Sequence, residues 1–360
     1  MGVTVRGIQG TELAVKACRW GYTFFVVFFL NWLSTTHATD TLTVIAAGDV
    51  MLDSWIEQII PDSGYDYPFR HLNDFLHSAD LVFANLEAPF GTTGEPFEKE
   101  FAFQVHPDLV QVLLAGNINL VSLANNHTLD YGPACLKETL KILDQHHIRY
   151  SGAGVTLSDA RKPALINVRG KRVALLAYNL TFPQEFWATD TTAGTCFPYD
   201  TFVFQDIARA DREADIVLVS CHWGQELNQT PRPYQIDFAH RAIDAGADVV
   251  LGHHPHVIQG MEFYRGKLIA YSLGNFVFAS YSEKAKESML LKLTWGKDDS
   301  LGVYVLPINV YNRDVNFQPV PLEGEQREAF FRHLIKLSGE LNSLPLVISS
   351  DGNVKRVKRS

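Results

Sequence analysis

The chain has 360 residues, of which 46% are hydrophobic and 20% are charged, and its formal net charge is −9. This composition is that of a globular protein, which excludes a disordered or coiled-coil chain, and the length favours one catalytic-sized domain with a small appendage. Because a net acidic chain does not offer the basic footprint of non-specific nucleic-acid binding, nucleic acid is not an expected partner.

The first 38 residues predict export. Lys16 and Arg19 precede an apolar stretch of 14 residues, 20–33, which is shorter than the roughly 20 residues that a membrane-spanning helix needs. Thr36 and Ala38 then supply small residues before a cut after Ala38. This order is typical of a secretory signal, and an uncleaved membrane anchor is the alternative. Either segment predicts a protein that faces outside the cytoplasm, in the periplasm or attached to the membrane.

Residues 41–287 predict one α/β domain, because apolar stretches alternate with amphipathic ones. In chain order we expect a strand at 41–47, a helix at 67–79, a strand at 81–87, a helix at 107–117, a strand at 118–124, a helix at 132–147, strands at 171–179 and 215–223, a helix at 233–247, and strands at 248–254 and 267–278. Near-continuous apolar strands between helices are typical of buried, mostly parallel strands.

Residues 288–360 have a different pattern. Two adjoining strands, expected to be antiparallel, precede an amphipathic helix at 323–341 and a basic tail, "VKRVKRS". We expect this part to pack on the same domain.

Beyond the N-terminal segment, Cys135, Cys196 and Cys221 have no paired spacing. An odd count predicts no disulfide framework, although it leaves room for one bridge.

Polar side chains follow almost every predicted strand. They are Asp49, Asn85, Glu87, Asn125, Asn126, His127, His222, His253, His254, His256 and Asn275. Because ligands of open α/β sheets bind outside the carboxyl ends of the strands, these side chains are expected to converge on one edge. Carboxylate, amide and imidazole donors suit Mn, Zn or Fe, whereas a structural thiolate site would need cysteine pairs.

Each of these residues also has a structural interpretation. Taken alone, Asp49 is consistent with a helix N-cap, the asparagines with turn positions, and His222 with a histidine of the core beside Trp223. The segment "GHHPH" (252–256) alone is as well explained by an exposed turn. These separate strand ends would each need an explanation of their own, so a shared site is the favoured hypothesis.

Seven stretches, in a fixed order, resemble the bacterial CapA family of poly-γ-glutamate capsule synthesis proteins. They are "AAGDVML" (46–52), "FANLEAPF" (83–90), "SLANNHTLDYG" (122–132), "GAGVTLSDARKP" (152–163), "CHWGQE" (221–226), "GHHPHVIQG" (252–260) and "IAYSLGNFVF" (269–278). That family is similar in fold to calcineurin-like metallophosphoesterases. The resemblance implies a layered, metallophosphatase-like α/β sandwich with mixed sheets over 41–287, and a small C-terminal β/helix extension over 288–360.

The resemblance also implies roles for single residues. The metal ligands would be Asp49, Glu87, Asn126, His222, His254 and His256, holding one or two divalent ions. His127 would be the catalytic acid, oriented by Asp130, while Asn85, Asn125 and Asn275 would position ligands or substrate. His253 is an extra histidine and is not an expected ligand. Two departures are Met51, where the phosphoesterases have a histidine, and "NLE" (85–87) in place of their second carboxylate motif.

The implied function is an exported protein of capsule or envelope polymer synthesis or export, with a divalent-metal hydrolase site. Its expected partners are an anionic polymer, poly-γ-glutamate or a relative of it, and subunits of a membrane synthase complex. Two alternatives stay open. One is a non-catalytic accessory that binds the polymer, which the methionine at position 51 favours, and the other is a metallophosphoesterase of small substrates.

Overall fold

The computed structural model of the protein describes residues 41–355. The predicted signal or anchor, residues 1–38, and the end of the basic tail lie outside the described residues. The described strands are β1 (Leu42–Val50), β2 (Leu81–Leu86), β3 (Ile118–Ser122), β4 (Arg149–Ser151), β5 (Ala153–Gly154), β6 (Ala164–Val168), β7 (Lys171–Asn179), β8 (Gly194–Thr195), β9 (Ile216–His222), β10 (Val249–His253), β11 (Met261–Tyr264), β12 (Lys267–Ala270), β13 (Asn275–Val277), β14 (Glu287–Trp295), β15 (Leu301–Asn309), β16 (Val320–Pro321), β17 (Val347–Ile348) and β18 (Val354–Lys355).

The α-helices of the same residues cover the sheets and their ends. They are α1 (Trp55–Ser63), α2 (Asn73–His77), α3 (Val110–Ala115), α4 (Gly132–Gln145), α5 (Leu157–Ala160), α6 (Val203–Glu213), α7 (Pro233–Asp244), α8 (Asn312–Val315) and α9 (Gly324–Ser338). Among the described residues no helix has the length and apolar character that crossing a bilayer requires.

Two mixed sheets form the centre of the domain. The first has the order β16-β15-β14-β1-β2-β3-β4, with β13 also paired to β1, and the second has the order β11-β12-β10-β9-β7-β6. Strands β1 to β4 run parallel, as do β7, β9, β10 and β12, whereas β14 and β15 are antiparallel to their neighbours. The predicted α/β class with mixed sheets is therefore confirmed.

The alternation of side chains along β1 explains the layers. Leu42, Val44 and Ala46 belong to a buried core that β2, β9, β10 and β14 also line, between the two sheets. Ile45 and Ala47 point the other way, into a second core beneath α1 to α4. Because successive side chains of a strand point to opposite faces, β1 is apolar on both sides. A third core lies between the second sheet and helices α6 and α7, so the layers run helix, sheet, sheet, helix.

The C-terminal strands extend the first sheet. β14 pairs with β1 over Leu42–Ala46, and β15 continues the sheet beyond β14. Phe330, Phe331 and Leu334 of α9 pack into the core between the sheets. The sheet and this core thus both draw on residues after 288.

Three predicted elements differ in detail. Residues 67–79 contain a 3-10 turn, Tyr67–Phe69, before the short α2, and 107–117 likewise begin with a 3-10 turn, Pro107–Leu109. The stretch 267–278 is not one strand, because β12 lies in the second sheet and β13 in the first. Gly274, with a φ of 75°, lies between them in the left-handed region.

Cys135, Cys196 and Cys221 are buried free thiols, so the one disulfide bridge that the sequence left open does not form.

Candidate metal centre

The polar strand-end residues lie together at one edge of the two sheets. Asp49 pairs in register with Asn85 of β2 and with Asn275 of β13. In the second sheet His222 of β9 pairs with His253 of β10. Because these strands are parallel, their carboxyl ends share an edge, as expected for a ligand site of an α/β sheet.

Asp49 lies at the centre of this edge and is fully buried. Its Oδ1 lies 3.1 Å from His253 Nδ1 and accepts a 2.9 Å hydrogen bond from Asn85 Nδ2. Its Oδ2 lies 3.2 Å from His256 Nδ1. His253, the histidine not expected to be a ligand, is thus in hydrogen-bond contact with the carboxylate of Asp49.

Glu87 is the second fully buried carboxylate. Its Oε1 accepts a 2.7 Å hydrogen bond from Asn85 Nδ2 and lies 3.4 Å from His222 Nδ1. Its Oε2 lies 3.9 Å from His256 Nε2. Asn85 Nδ2 therefore bridges the two carboxylates and orients both of them.

His222, Asn126 and His254 form the other side of the site. His222 Nε2 lies 2.7 Å from Asn126 Oδ1, and the ring of His254 is centred 4.7 Å from the ring of His222. The six residues proposed as ligands from the resemblance are therefore brought together.

The backbone of the histidine loop is unusual. Gly252 is required at the loop's start, because a Cβ there would lie 1.9 Å from the carbonyl oxygen of Tyr271. His254 and His256 have φ values of 93° and 57°, a region that residues with a Cβ rarely adopt. Such backbone strain is concentrated at functional sites, where the surrounding structure holds it in place.

Burial and hydrogen bonding act differently on the two carboxylates. Burial tends to raise the pKa of Asp49, but hydrogen bonds to His253 and His256 outweigh it and hold that pKa well below its usual range. Burial, reinforced by the charge of Asp49, raises the pKa of Glu87 well above its usual range. In the metal-free site, therefore, the negative charge of Asp49 is stabilised, whereas burial opposes the negative charge of Glu87.

The pKa values of the three imidazoles at the site are also shifted in different directions. Burial lowers the pKa of His254 to about 3 and lowers that of His222 well below its usual range. Burial also acts on His256, but the charge of Glu87 and the hydrogen bond to Asp49 prevail and raise its pKa to about 9. His222 and His254 are thus neutral at pH 7, the state in which imidazole binds a metal.

The residues present fit a divalent ion. Donor atoms of Asp49, Glu87 and His256 lie within 4.8 Å of one another. Glu87 Oε2 and His254 Nδ1 are buried and make no hydrogen bond within residues 41–355. Buried polar atoms nearly always have a partner, so these two atoms are available to bind an ion. Two carboxylates with several imidazoles form a donor set that Mn, Zn or Fe accepts.

A second polar cluster lies beside this centre. His127 Nδ1 lies 2.8 Å from Asp130 Oδ2, and the backbone N–H of His127 donates to Asn125 Oδ1 over 3.0 Å. Burial lowers the pKa of His127, although Asp130 opposes this. With Nδ1 directed at a carboxylate, the neutral ring presents Nε2 as a proton acceptor.

The remaining predicted residues support the site. Asn125 donates to Asn85 Oδ1 over 3.2 Å, and Asn275 Oδ1 lies 2.9 Å from His256 Nδ1. Met51 is buried in the core beneath the helices, and its sulfur accepts a hydrogen bond from the backbone N–H of Asp53. Position 51 therefore contributes no imidazole.

Sequence reasoning missed Lys99. Its ammonium forms an ion pair with Asp130, donates to the Asn126 carbonyl over 2.7 Å and lies 3.2 Å from His127 Nδ1. Locally, Glu98-Lys99-Glu100 is indistinguishable from solvated surface charge. Only the fold shows that this lysine is mostly buried against the histidine.

Lys99→Met is expected to raise the pKa of His127. Burial lowers that pKa and the positive charge of Lys99 adds to the effect, so removing the charge leaves Asp130 to stabilise the imidazolium. The check is an NMR pH titration of the His127 ring in metal-free protein. Lys162→Met, which removes an exposed lysine paired with Asp159, is the control. An unchanged His127 pKa in Lys99→Met would contradict the assigned role.

Comparison with known proteins decides the family. The chain is 33% identical to the PGA biosynthesis protein CapA of Bacillus subtilis, over 87% of this chain and 84% of that protein. It is 31% identical to the capsule biosynthesis protein CapA of Bacillus anthracis, over 79% of this chain and 73% of that protein. Residues 43–280 match the family described as bacterial capsule synthesis protein PGA_cap. The chain belongs to this capsule synthesis family.

The match of the capsule synthesis family covers every candidate residue described above, from Asp49 to Asn275. Among solved structures, the NAD nucleotidase of Haemophilus influenzae resembles the chain with a TM-score of 0.45 and 13% identity, over 87% of this chain and 64% of that chain. A likeness this distant carries no argument about activity.

Proposed function

We propose that this member of the capsule synthesis family is an exported, metal-dependent hydrolase acting on an anionic envelope polymer of the poly-γ-glutamate type. One observation carries the proposal. Two buried carboxylates, Asp49 and Glu87, share an edge with neutral imidazoles and lie next to the His127–Asp130 pair. The names of the relatives, which are a PGA biosynthesis protein and a capsule biosynthesis protein, supply the polymer class.

The site residues would have different roles in such a reaction. Asp49, Glu87, Asn126, His222, His254 and His256 would hold one or two ions of Mn, Zn or Fe. A bound divalent ion polarises the scissile carbonyl or phosphoryl group and lowers the pKa of a coordinated water. His127, held by Asp130, accepts a proton at Nε2 and returns it to the leaving group. Asn85 and Asn275 keep the carboxylates and His256 in orientation.

The charge of the chain limits how the polymer reaches this site. Because the net charge is −9, a polyanion is repelled by most of the surface. Contact would therefore rely on local positive charge, which Lys99 and a divalent ion held by the site residues would supply. We further propose that residues 1–38 direct export, either as a cleaved signal or as an anchor to the membrane that carries the synthase subunits.

A second candidate function is a non-catalytic accessory that binds the polymer for a synthase complex. The observation that favours it is Met51, which leaves the site one imidazole short of the phosphoesterase pattern. A relative from Mycobacterium tuberculosis, 32% identical over 66% of this chain and 74% of that protein, is described as a probable polyglutamine synthesis accessory protein.

Turnover assays with the purified protein separate these functions. Metal-loaded and chelated samples are incubated with poly-γ-glutamate, and the chain length of the polymer is followed by gel filtration. We expect shortening that depends on Mn or Zn. Generic phosphomonoesters and phosphodiesters are tested in parallel, and their hydrolysis would instead indicate a small-substrate phosphoesterase. Polymer binding without any turnover would favour the accessory function.

A further inference from the structure

The metal centre has a carboxylate at its open side, Glu226, which closes the stretch "CHWGQE" (221–226) but has been given no role above. Glu226 is exposed and its donor atoms lie within 4.8 Å of those of His254 and His256. The described residues offer its carboxylate no hydrogen bond and no ion pair. An exposed acidic group alone would mean little, so the argument depends on how this one is held.

The loop that carries Glu226 is tied at both ends to the histidine loop. Before it, the backbone N–H of Trp223 donates to the His253 carbonyl over 3.1 Å. After it, the backbone N–H of Leu227 donates to the Pro255 carbonyl over 2.9 Å. These two hydrogen bonds join the loop of Glu226 to the histidine loop and hold its carboxylate beside the two imidazoles.

The beginning of this loop is also rigid. Trp223 is fully buried and its Nε1 donates to the Tyr271 carbonyl over 2.9 Å. Gly224, with a φ of 91°, turns the chain, and its N–H donates to Tyr234 Oη over 2.7 Å. A metal ligand on a loop is effective when its backbone is held in this way before the ion arrives.

A separate observation shows that one of the two imidazoles beside Glu226 has unused bonding capacity. His254 Nδ1 is buried and has no hydrogen-bond partner in the described part of the chain. Met51 lies in the apolar core, so position 51 adds no imidazole to the centre. The ring of Phe278 packs on the ring of His256, with their centres 4.6 Å apart.

We infer that Glu226 is a metal ligand, which binds a divalent ion together with His254 and His256 from the open side of the centre. It supplies an anionic oxygen donor to a centre that has a methionine, Met51, where the phosphoesterase pattern has a histidine. Carboxylate with imidazole is a donor set that suits Mn, Zn and Fe. The inference rests on the proposed metal centre and adds a ligand to it.

The test is metal binding by the full-length protein, without any activity assay. Mn²⁺ is titrated into chelator-treated protein by calorimetry, and bound ions per chain are counted by elemental analysis. Glu226→Gln keeps the shape of the side chain but removes its charge, and it is expected to weaken Mn²⁺ binding at least about tenfold or to lower the ion count. Glu226→Asp, which keeps a carboxylate on a shorter arm, is expected to retain part of the affinity.

Glu213→Gln is the matched control. Glu213 is an exposed glutamate at the end of α6, just before the amino end of β9 and thus away from the site, so its variant should bind Mn²⁺ like wild type. Wild-type affinity and ion count in Glu226→Gln would overturn the inference and leave the metal centre standing. Failure of the wild-type protein to bind Mn²⁺ or Zn²⁺ at all would overturn both.

Discussion

Glu87→Gln is expected to lower the affinity for Mn²⁺ or Zn²⁺ by about two orders of magnitude, an upper-range effect for a change at a metal site. Glu87 is one of two fully buried carboxylates at the site, and its Oε2 is a buried acceptor that the described residues leave without a partner. A neutral amide of the same shape removes that anionic donor while preserving packing. Calorimetric titration and elemental analysis of the purified variant measure the effect.

The same substitution has the opposite effect on the metal-free protein. The pKa of Glu87 is raised on folding, so the group favours the folded state when protonated and this contribution is lost as pH rises through the raised pKa. At pH 8, chelated Glu87→Gln is expected to melt at or above the wild-type temperature. Metal at a hundredfold excess over Kd should add about 2.7 kcal/mol to the free energy of unfolding of wild type. Wild type should therefore melt above the variant only when metal is present.

Glu262→Gln provides the control for both measurements. Glu262 is also a buried carboxylate, but it is bonded to His240 and to Tyr271 Oη away from the metal centre. Its variant should bind metal like wild type and lose stability at every metal concentration. Equal metal affinity in Glu87→Gln and wild type would refute the assignment of Glu87 as a ligand.

His127→Ala is expected to reduce metal-dependent turnover by about 10² to 10⁴-fold, the usual contribution of a general acid or base. Metal content should stay at the wild-type level, because His127 Nδ1 is directed at Asp130 and not at the carboxylate pair. The measurements are the rate of polymer shortening at saturating metal and the number of ions bound per chain.

His240→Ala is the matched control for this prediction. His240 is also a histidine paired with a carboxylate, Glu262. Its removal therefore measures how far the loss of any such pair changes turnover. It should leave turnover per folded molecule unchanged. If His127→Ala lost its metal together with its activity, His127 would belong to the ligand set and the proton-transfer role would be wrong.

Much of the fold could be predicted from the order of apolar stretches. The strands 171–179 and 215–223 coincide with β7 and β9 to within a residue, because both are apolar runs bounded by polar residues. The stretch 267–278 was predicted as one strand because it is apolar almost throughout. Its division between two sheets depends on Gly274, which has a left-handed backbone conformation. The periodicity of apolar residues cannot reveal such a conformation.

The sequence by itself predicted which residues come together, since the carboxyl ends of parallel strands lie at one edge of a sheet. Only the tertiary structure decided that the edges of two different sheets meet at the site. The sequence could not determine what each side chain contacts. The left-handed backbone at His254 and His256 and the contact of His253 with Asp49 arise from the packing of one loop against both sheets. Lys99 and Glu226 lie in loops, where no periodic pattern predicts direction. Their approach to the site was decided by long-range tertiary contacts, because a loop's path depends on the surfaces it packs against.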